Sequence, residues 1–317
     1  MIVAKNLTRN YGAFTAVDDV SLKIEAGEIV GLLGHNGAGK TTIMKMLTGF
    51  LEPTAGSVEI NGHDMESARS LAQSCVGYLP ENCPLYPEMS VVEFLDYAAE
   101  LKGVADDERS RAITESIAAT ELGDKAMEPI SSLSRGYRQR VGVAQAILHN
   151  PKIVILDEPT NGLDPSQIKH MRDLIRRLAE TATVILSTHI LQEVAAVCGR
   201  VIVINRGKVA LDSALSDLRR DGRLRLVTNG RPDIVQPLIA GLSLVKSGEV
   251  LPSQGRANAY GLQLNGRAPD EVAGSLIDFA LDPSPDESFY GELVHVGREE
   301  PRVLGSVVAR GSIVPWT

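Results

Sequence analysis

Between Gly34 and Thr41 the chain reads GHNGAGKT, a G-x-x-x-x-G-K-T pattern. It follows a continuous apolar run, EIVGLLG, and opens a helical pattern carried by Ile43, Met46 and Leu47. No other stretch restricts the fold as strongly. Glycines let a backbone wrap around phosphates, successive N–H groups then point at the anion, and the following helix adds the positive end of its dipole. The backbone of Gly34, His35, Asn36, Gly37, Ala38 and Gly39 would form such a cradle. Lys40 would reach the β- and γ-phosphates of a nucleotide, the Thr41 hydroxyl would hold Mg²⁺, and Thr42 would support the same phosphates. A chance Gly-Lys-Thr in a glycine-rich turn is the competing account. The strand before and the helix after argue against it.

A second apolar run, KIVILDEPT, ends on Asp157 and Glu158. Doubly wound sheets present their ligand crevice at the carboxyl ends of such strands. There Asp157 can hold Mg²⁺ and Glu158 can polarise an attacking water. An acid pair after a strand is by itself more often a solvated strand end, but its company with the loop at 34–41 reverses that reading.

The remaining pattern places these motifs. IVAKNL and AVDDVSLKI alternate as strands of a small antiparallel sheet. Residues 90–150 turn helical: Ser90 and Glu93 fit a capping box, Val91, Phe94, Leu95 and Ala98 mark one face, a polar amphipathic stretch covers 106–122, and a helix begins near Gly136. From 152 onward KIVILD, TVILST and RVIVIN alternate with helices, one capped by Asp164 with Pro165 at its first position. This order means a parallel sheet covered on both faces. Residues 205–222 read as a joint with a short Ser213–Arg220 helix. Beyond it, RLRLVTN, LSLVKS and AYGLQLN with helices near 232–240 and 269–281 read as a small α+β module. The last twenty residues lack a clear period and are expected to be partly disordered.

The motifs, taken in order from Tyr11 to His189, resemble the ATP-binding subunit of an ABC transporter. The resemblance implies an α/β fold, a P-loop NTPase of the ABC type with an antiparallel β subdomain, a helical signature subdomain and a C-terminal extension. It extends to about residue 220, giving an ATP-binding domain over 1–220 (helical part about 85–150) and an accessory domain over 221–317. It further implies ATP as substrate with Mg²⁺. Tyr11 would stack on adenine, with Val17 near the ribose. LSRGYRQR resembles the family signature, so Ser134, Arg135 and Gly136 would contact the γ-phosphate held by a second subunit. Asn161-Gly162-Leu163-Asp164 resembles the loop crossing the dimer interface, and His189 the switch histidine.

Two motifs depart from the family pattern. Arg135 replaces one of the usual signature glycines, with Tyr137 where glutamine is common, and Glu81 stands where a Mg²⁺-contacting glutamine is usual. VGYLPENCPLYPEMSVVEFLDYAAELKGV resembles the branch that serves ABC-2-type permeases, which includes exporters, gliding-motility and copper-enzyme maturation systems. The resemblance therefore implies a head-to-tail homodimer, an integral membrane permease as partner, and a place on the cytoplasmic face of the membrane.

Composition removes several rivals. The 317 residues carry 32 basic and 40 acidic side chains, a formal net charge of -8, which argues against a general nucleic-acid coat. The three cysteines form no CxxC pair, so neither a zinc site nor a disulfide framework is expected. No run reaches the roughly 18 apolar residues of a membrane span, and the first residues lack a signal-peptide core. A membrane role is thus expected through a partner. A related ATPase acting on ribosomes or DNA usually carries two cassettes, coiled-coil or zinc insertions. This chain has one cassette, no heptads and an acidic balance. A catalytically idle subunit finds its only opening in Glu81.

Overall fold

Burial that alternates residue by residue builds the first sheet. In β2 (Phe14–Ile24) Val20, Leu22 and Ile24 are buried while Ser21 and Lys23 are exposed. It pairs antiparallel with β1 (Ile2–Tyr11), which also pairs with β4 (Ala55–Ile60), and β5 (His63–Asp64) completes the order β2-β1-β4-β5. The computed structural model describes residues 1–216 and five strands beyond them, at 223–228, 245–251, 258–264, 290–296 and 301–308.

The second sheet holds the phosphate loop. Its order is β10-β9-β3-β8-β7-β6, built from β3 (Ile29–Leu33), β6 (Val76–Leu79), β7 (Ile153–Leu156), β8 (Thr183–Thr188), β9 (Arg200–Asn205) and β10 (Lys208–Ala214). All neighbours are parallel except β9 and β10. Every residue of β7 and β8 is buried, and the two faces go to different cores. Ile153, Ile155 and Ile185 join the core under α1 (Lys40–Leu47), whereas Val154, Leu156, Val184 and Leu186 join Met171, Leu174 and Ile175 of α6 (Pro165–Ala179). Double-sided burial is the reason these strands read as unbroken apolar runs.

Between β6 and β7 lies the helical subdomain: α3 (Val91–Leu101), α4 (Asp106–Ala119) and α5 (Arg135–Ile147), after α2 (Arg69–Ser74) earlier in the chain. The Ser90–Glu93 capping box forms, with the Glu93 carboxylate accepting from the Ser90 amide at 2.8 Å. Val91, Phe94, Leu95, Leu122, Ile130, Leu133, Val141 and Leu148 make a core of their own.

The joint expected at 205–222 is different. Residues 208–214 form β10, so Ser213 and Ala214 are strand; Leu215 and Ser216 are helical, and the rest of the expected helix, from 217, lies outside the described residues. Arg206 and Gly207 both have positive φ, 48° and 78°, which is the two-residue turn that matches hairpin twist. The hairpin is fastened by Arg200, whose guanidinium donates to both Asp212 carboxylate oxygens at 2.6 and 2.7 Å.

By contacts the chain divides into two units, Met1–Ala214 and Leu215–Thr317. The second contains an antiparallel sheet in the order β12-β13-β11-β14-β15, from β11 (Arg223–Thr228), β12 (Val245–Leu251), β13 (Asn258–Leu264), β14 (Tyr290–Val296) and β15 (Pro301–Val308). The helices expected near 232–240 and 269–281 lie outside the described residues. Of the last twenty residues, expected to be partly disordered, 301–308 form a strand paired with β14, and the others lie outside the described residues. A register shift there sets Leu293 opposite Gly305 and Val294 opposite Val303, leaving Leu304 as an extra residue. That bulge breaks the period-two signal.

Candidate functional site

The carboxyl ends of β3, β7 and β8, consecutive in the order β3-β8-β7, carry the motifs. After Leu33 the chain turns through 34–39 and enters α1 at Lys40. Gly39 has φ 110°, and a Cβ there would stand 2.7 Å from the Ala16 carbonyl oxygen. At Gly34 a Cβ would meet the Ile204 carbonyl oxygen at 2.5 Å, so only glycine allows this approach. His35, Asn36 and Gly37 are exposed, Ala38 is buried, and Thr41 and Thr42 are half-buried. Lys40 Nζ donates to the carbonyl oxygens of Gly34 at 2.7 Å and His35 at 3.3 Å.

The acid pair is buried beside it. Lys40 Nζ lies 3.3 Å from Glu158 Oε1, with both side chains almost wholly out of solvent. The contact is an ion pair whose angle falls short of a hydrogen bond, since Oε1 accepts none. The other Glu158 oxygen, Oε2, faces His189 Nδ1 at 3.1 Å. With the carboxylate ionised, Nδ1 donates. Glu158 also has φ 49°, a left-handed backbone rarely held by a side chain of its size and costly to keep. Its amide donates to Ser187 Oγ at 2.8 Å, and Ser187 Oγ donates to Asp157 Oδ1 at 2.6 Å. Asp157 Oδ2 is buried with no partner.

Of the two buried carboxylates, Glu158 pairs with Lys40, while Asp157 keeps one oxygen without a partner. A buried carboxylate oxygen left unpaired is costly, and a positive charge beside Asp157 would offset that cost. Oxygen donors of this kind suit Mg²⁺, which is held by one or two carboxylates together with substrate phosphates and water. Consistent with so sparse a ligand set, no group of three or more His, Cys, Asp or Glu among the described residues could hold a metal alone. The Tyr78 hydroxyl is also buried and unpartnered. Burial first, then the negative charges of Asp157 and Glu81, push its phenol well up, so it stays protonated.

Other expected residues sit as follows. Tyr11 is exposed, with the Arg9 guanidinium 4.8 Å above its ring. Val17 has no exposed surface and packs in the core behind Gly39. Glu81 is exposed, its Oε1 accepting from Asn161 Nδ2 at 3.5 Å. Ser134 and Arg135 are exposed at the start of α5, where Ser134 Oγ caps the Tyr137 amide. Gly136 is buried; a Cβ there would press on the Gln167 side chain at 2.6 Å. The Asp164 carboxylate caps α6, accepting from the Gln167 amide and the Ser166 hydroxyl, and these bonds hold its pKa below the ordinary value. Sequence reasoning missed Tyr78, Ser187 and Thr188. Their signal was a polar residue closing or interrupting a strand that is otherwise apolar.

A glycine loop opening a helix after a central parallel strand, with an acid pair at the end of another strand of the same sheet, defines a P-loop ATPase. The family model described as ABC transporter matches residues 17–161. Over 232 residues the chain is 37% identical to the ABC transporter ATP-binding protein MJ1023 of Methanocaldococcus jannaschii, covering 73% of this chain and 84% of that protein. It is 36% identical over 225 residues to the bacitracin transport ATP-binding protein BcrA of Bacillus licheniformis, covering 70% and 72%. Among solved structures it resembles the dimeric post-hydrolysis state of the ATP-binding cassette MJ0796 bound to ADP and Pi, with a TM-score of 0.62 and 26% identity over 68% of this chain and 99% of that one. The chain belongs to the ABC transporter ATP-binding proteins, and it binds and hydrolyses ATP.

Proposed function

We propose that two copies of this chain close head to tail on two ATP molecules and thereby drive a separate membrane permease in the direction of export. The observation that carries the proposal is the buried Glu158 carboxylate, held between Lys40 and His189 next to an Asp157 oxygen with no partner. Tyr11 offers an exposed ring to adenine. The 34–39 backbone and Lys40 bind the β- and γ-phosphates, Lys40 turning from the loop carbonyls to the phosphate oxygens. Thr41, Asp157 and Glu81 would hold Mg²⁺. When bound, Mg²⁺ would supply positive charge to offset that developing on the leaving group.

Glu158 orients and polarises the attacking water. His189 steadies that carboxylate through Nδ1, leaving Nε2 for the γ-phosphate. The Ser134–Gly136 segment of the second copy closes the site from the other side. One chain carries every part, so a homodimer suffices, and the dimeric MJ0796 cassette supports that assembly. Because ATP contacts both copies only in the closed state, it shifts the population toward closure, and hydrolysis releases it.

Among the described residues no helix is long and apolar enough to cross a membrane. In this reading the chain sits on the cytoplasmic face of the membrane, bound through its permease. Relatives named for bacitracin transport and linearmycin resistance favour export. Residues 221–317 act as an accessory domain. The test is to trap tagged Glu158→Gln with Mg-ATP in gently solubilised membranes and identify what co-purifies. A polytopic membrane protein at near-stoichiometric level is expected. Ribosomes or nucleic acid in its place would overturn the permease assignment while leaving the ATP site intact.

A further inference from the structure

Glu193 is a buried carboxylate that the chemistry described above does not use. It lies in α7 (Leu191–Val197) and is 5% exposed. Its Oε2 accepts from two hydroxyls, Thr160 Oγ1 at 2.5 Å and Thr188 Oγ1 at 2.9 Å. Thr160 lies in the loop after β7, whereas Thr188 closes β8 and begins the loop that carries His189. Thr160 follows Glu158 by two residues and leads into Asn161–Asp164; Thr188 directly precedes His189. Thr188 Oγ1 also accepts from the Ile190 amide at 3.1 Å, so this one hydroxyl fastens the backbone on both sides of His189.

The need for such a fastening follows from the sheet. Pairing between β7 and β8 runs only to Leu156 and Leu186, and both loops leave the sheet soon after. Ser187 fixes the Glu158 amide, and β8 stays paired with β3 as far as Thr188, opposite Leu33, but His189 and the residues from Glu158 to Asp164 have no ladder. Hydrogen bonds to an ionised acceptor are about twice as strong as neutral ones, and both threonines are buried, so losing the carboxylate would orphan two hydroxyls.

We propose that Glu193 is a positioning residue: through Thr160 and Thr188 it holds the two loops so that Glu158 and His189 meet, and it ties the Asn161–Asp164 loop to the histidine. Glu193 touches neither nucleotide nor water and acts through the contact between that pair. The inference rests on the roles proposed for Glu158 and His189.

The test measures steady-state ATP hydrolysis by the full chain for Glu193→Ala, Glu193→Gln, His189→Ala and the double variant His189→Ala/Glu193→Ala. Displacing a catalytic group by the order of 1 Å costs up to about a hundredfold, so Glu193→Ala should lower kcat by about ten- to a hundredfold with KM within about twofold. Glu193→Gln keeps an oxygen that accepts from both hydroxyls and should recover most of the rate. In the His189→Ala background, Glu193→Ala should cost less than about threefold, because the contact it protects is already gone. Should Glu193→Ala fail to fold, Thr160→Val takes its place, with kcat expected about tenfold down at unchanged KM. A parent kcat in Glu193→Ala or its replacement, a full multiplicative loss in the double variant, or no recovery by glutamine would overturn the inference alone. A His189→Ala variant at the parent rate would overturn the role of His189 together with it.

Discussion

At the scale of single residues, the site is a problem in buried charge. Asp157 and Glu158 are almost wholly out of solvent, and Lys40 is the cation paired with Glu158. Lys40→Ala removes that cation and the donor to the phosphates at once. Charged hydrogen bonds are worth about 1.5–3 kcal/mol, so ATP affinity should fall by at least about tenfold, measured by calorimetric titration. Normal binding would sink the phosphate-loop assignment. A second titratable group lies away from the site. His149 joins α5 to β6 through a 3.1 Å contact between Nε2 and the Val76 carbonyl oxygen, and its other ring nitrogen is buried without a partner. Burial first, then the Lys102 charge, lowers its pKa to about 4 from an ordinary 6.5. The neutral ring is the folded form, so its contribution to stability is complete above pH 6.5 and is lost as pH falls through about 4. His149→Gln should flatten denaturant-measured stability across that window, and an unchanged slope would exclude this histidine as the cause.

At the scale of elements, β7 is the support of the acid pair. Leu156 immediately precedes Asp157 and has no exposed surface. Leu156→Ala should cost about 2–5 kcal/mol in urea unfolding, and a cost below about 1 kcal/mol would mean the strand end is far less tightly packed than its burial implies. These elements were also the legible ones. Strands buried on both faces, the Ser90–Glu93 box and the Asp164–Pro165 start each state their conformation in local residue chemistry. What local chemistry cannot carry is a long-range bond. The β10 hairpin depends on positive φ at a non-glycine residue, Arg206, and on the Arg200–Asp212 pair twelve residues apart. At 301–308 the bulge hid a strand. In the site, the chain announced Lys40, Asp157, Glu158 and His189 but not Ser187 or Glu193, whose partners lie in other elements.

At the scale of the whole molecule, the account turns on one chain supplying both halves of each site. Glu158→Gln is nearly isosteric and keeps an oxygen toward His189, yet removes the carboxylate charge that polarises water. ATP should then bind and stay. The measurement is the size of purified Glu158→Gln with Mg-ATP, with Mg-ADP and without nucleotide, alongside its rate of ATP hydrolysis. The account predicts a dimer that persists only with ATP and turnover lowered by about 10²–10⁴-fold, the usual contribution of a general base. A variant that hydrolyses ATP at the parent rate, or that stays monomeric with ATP bound, would contradict it.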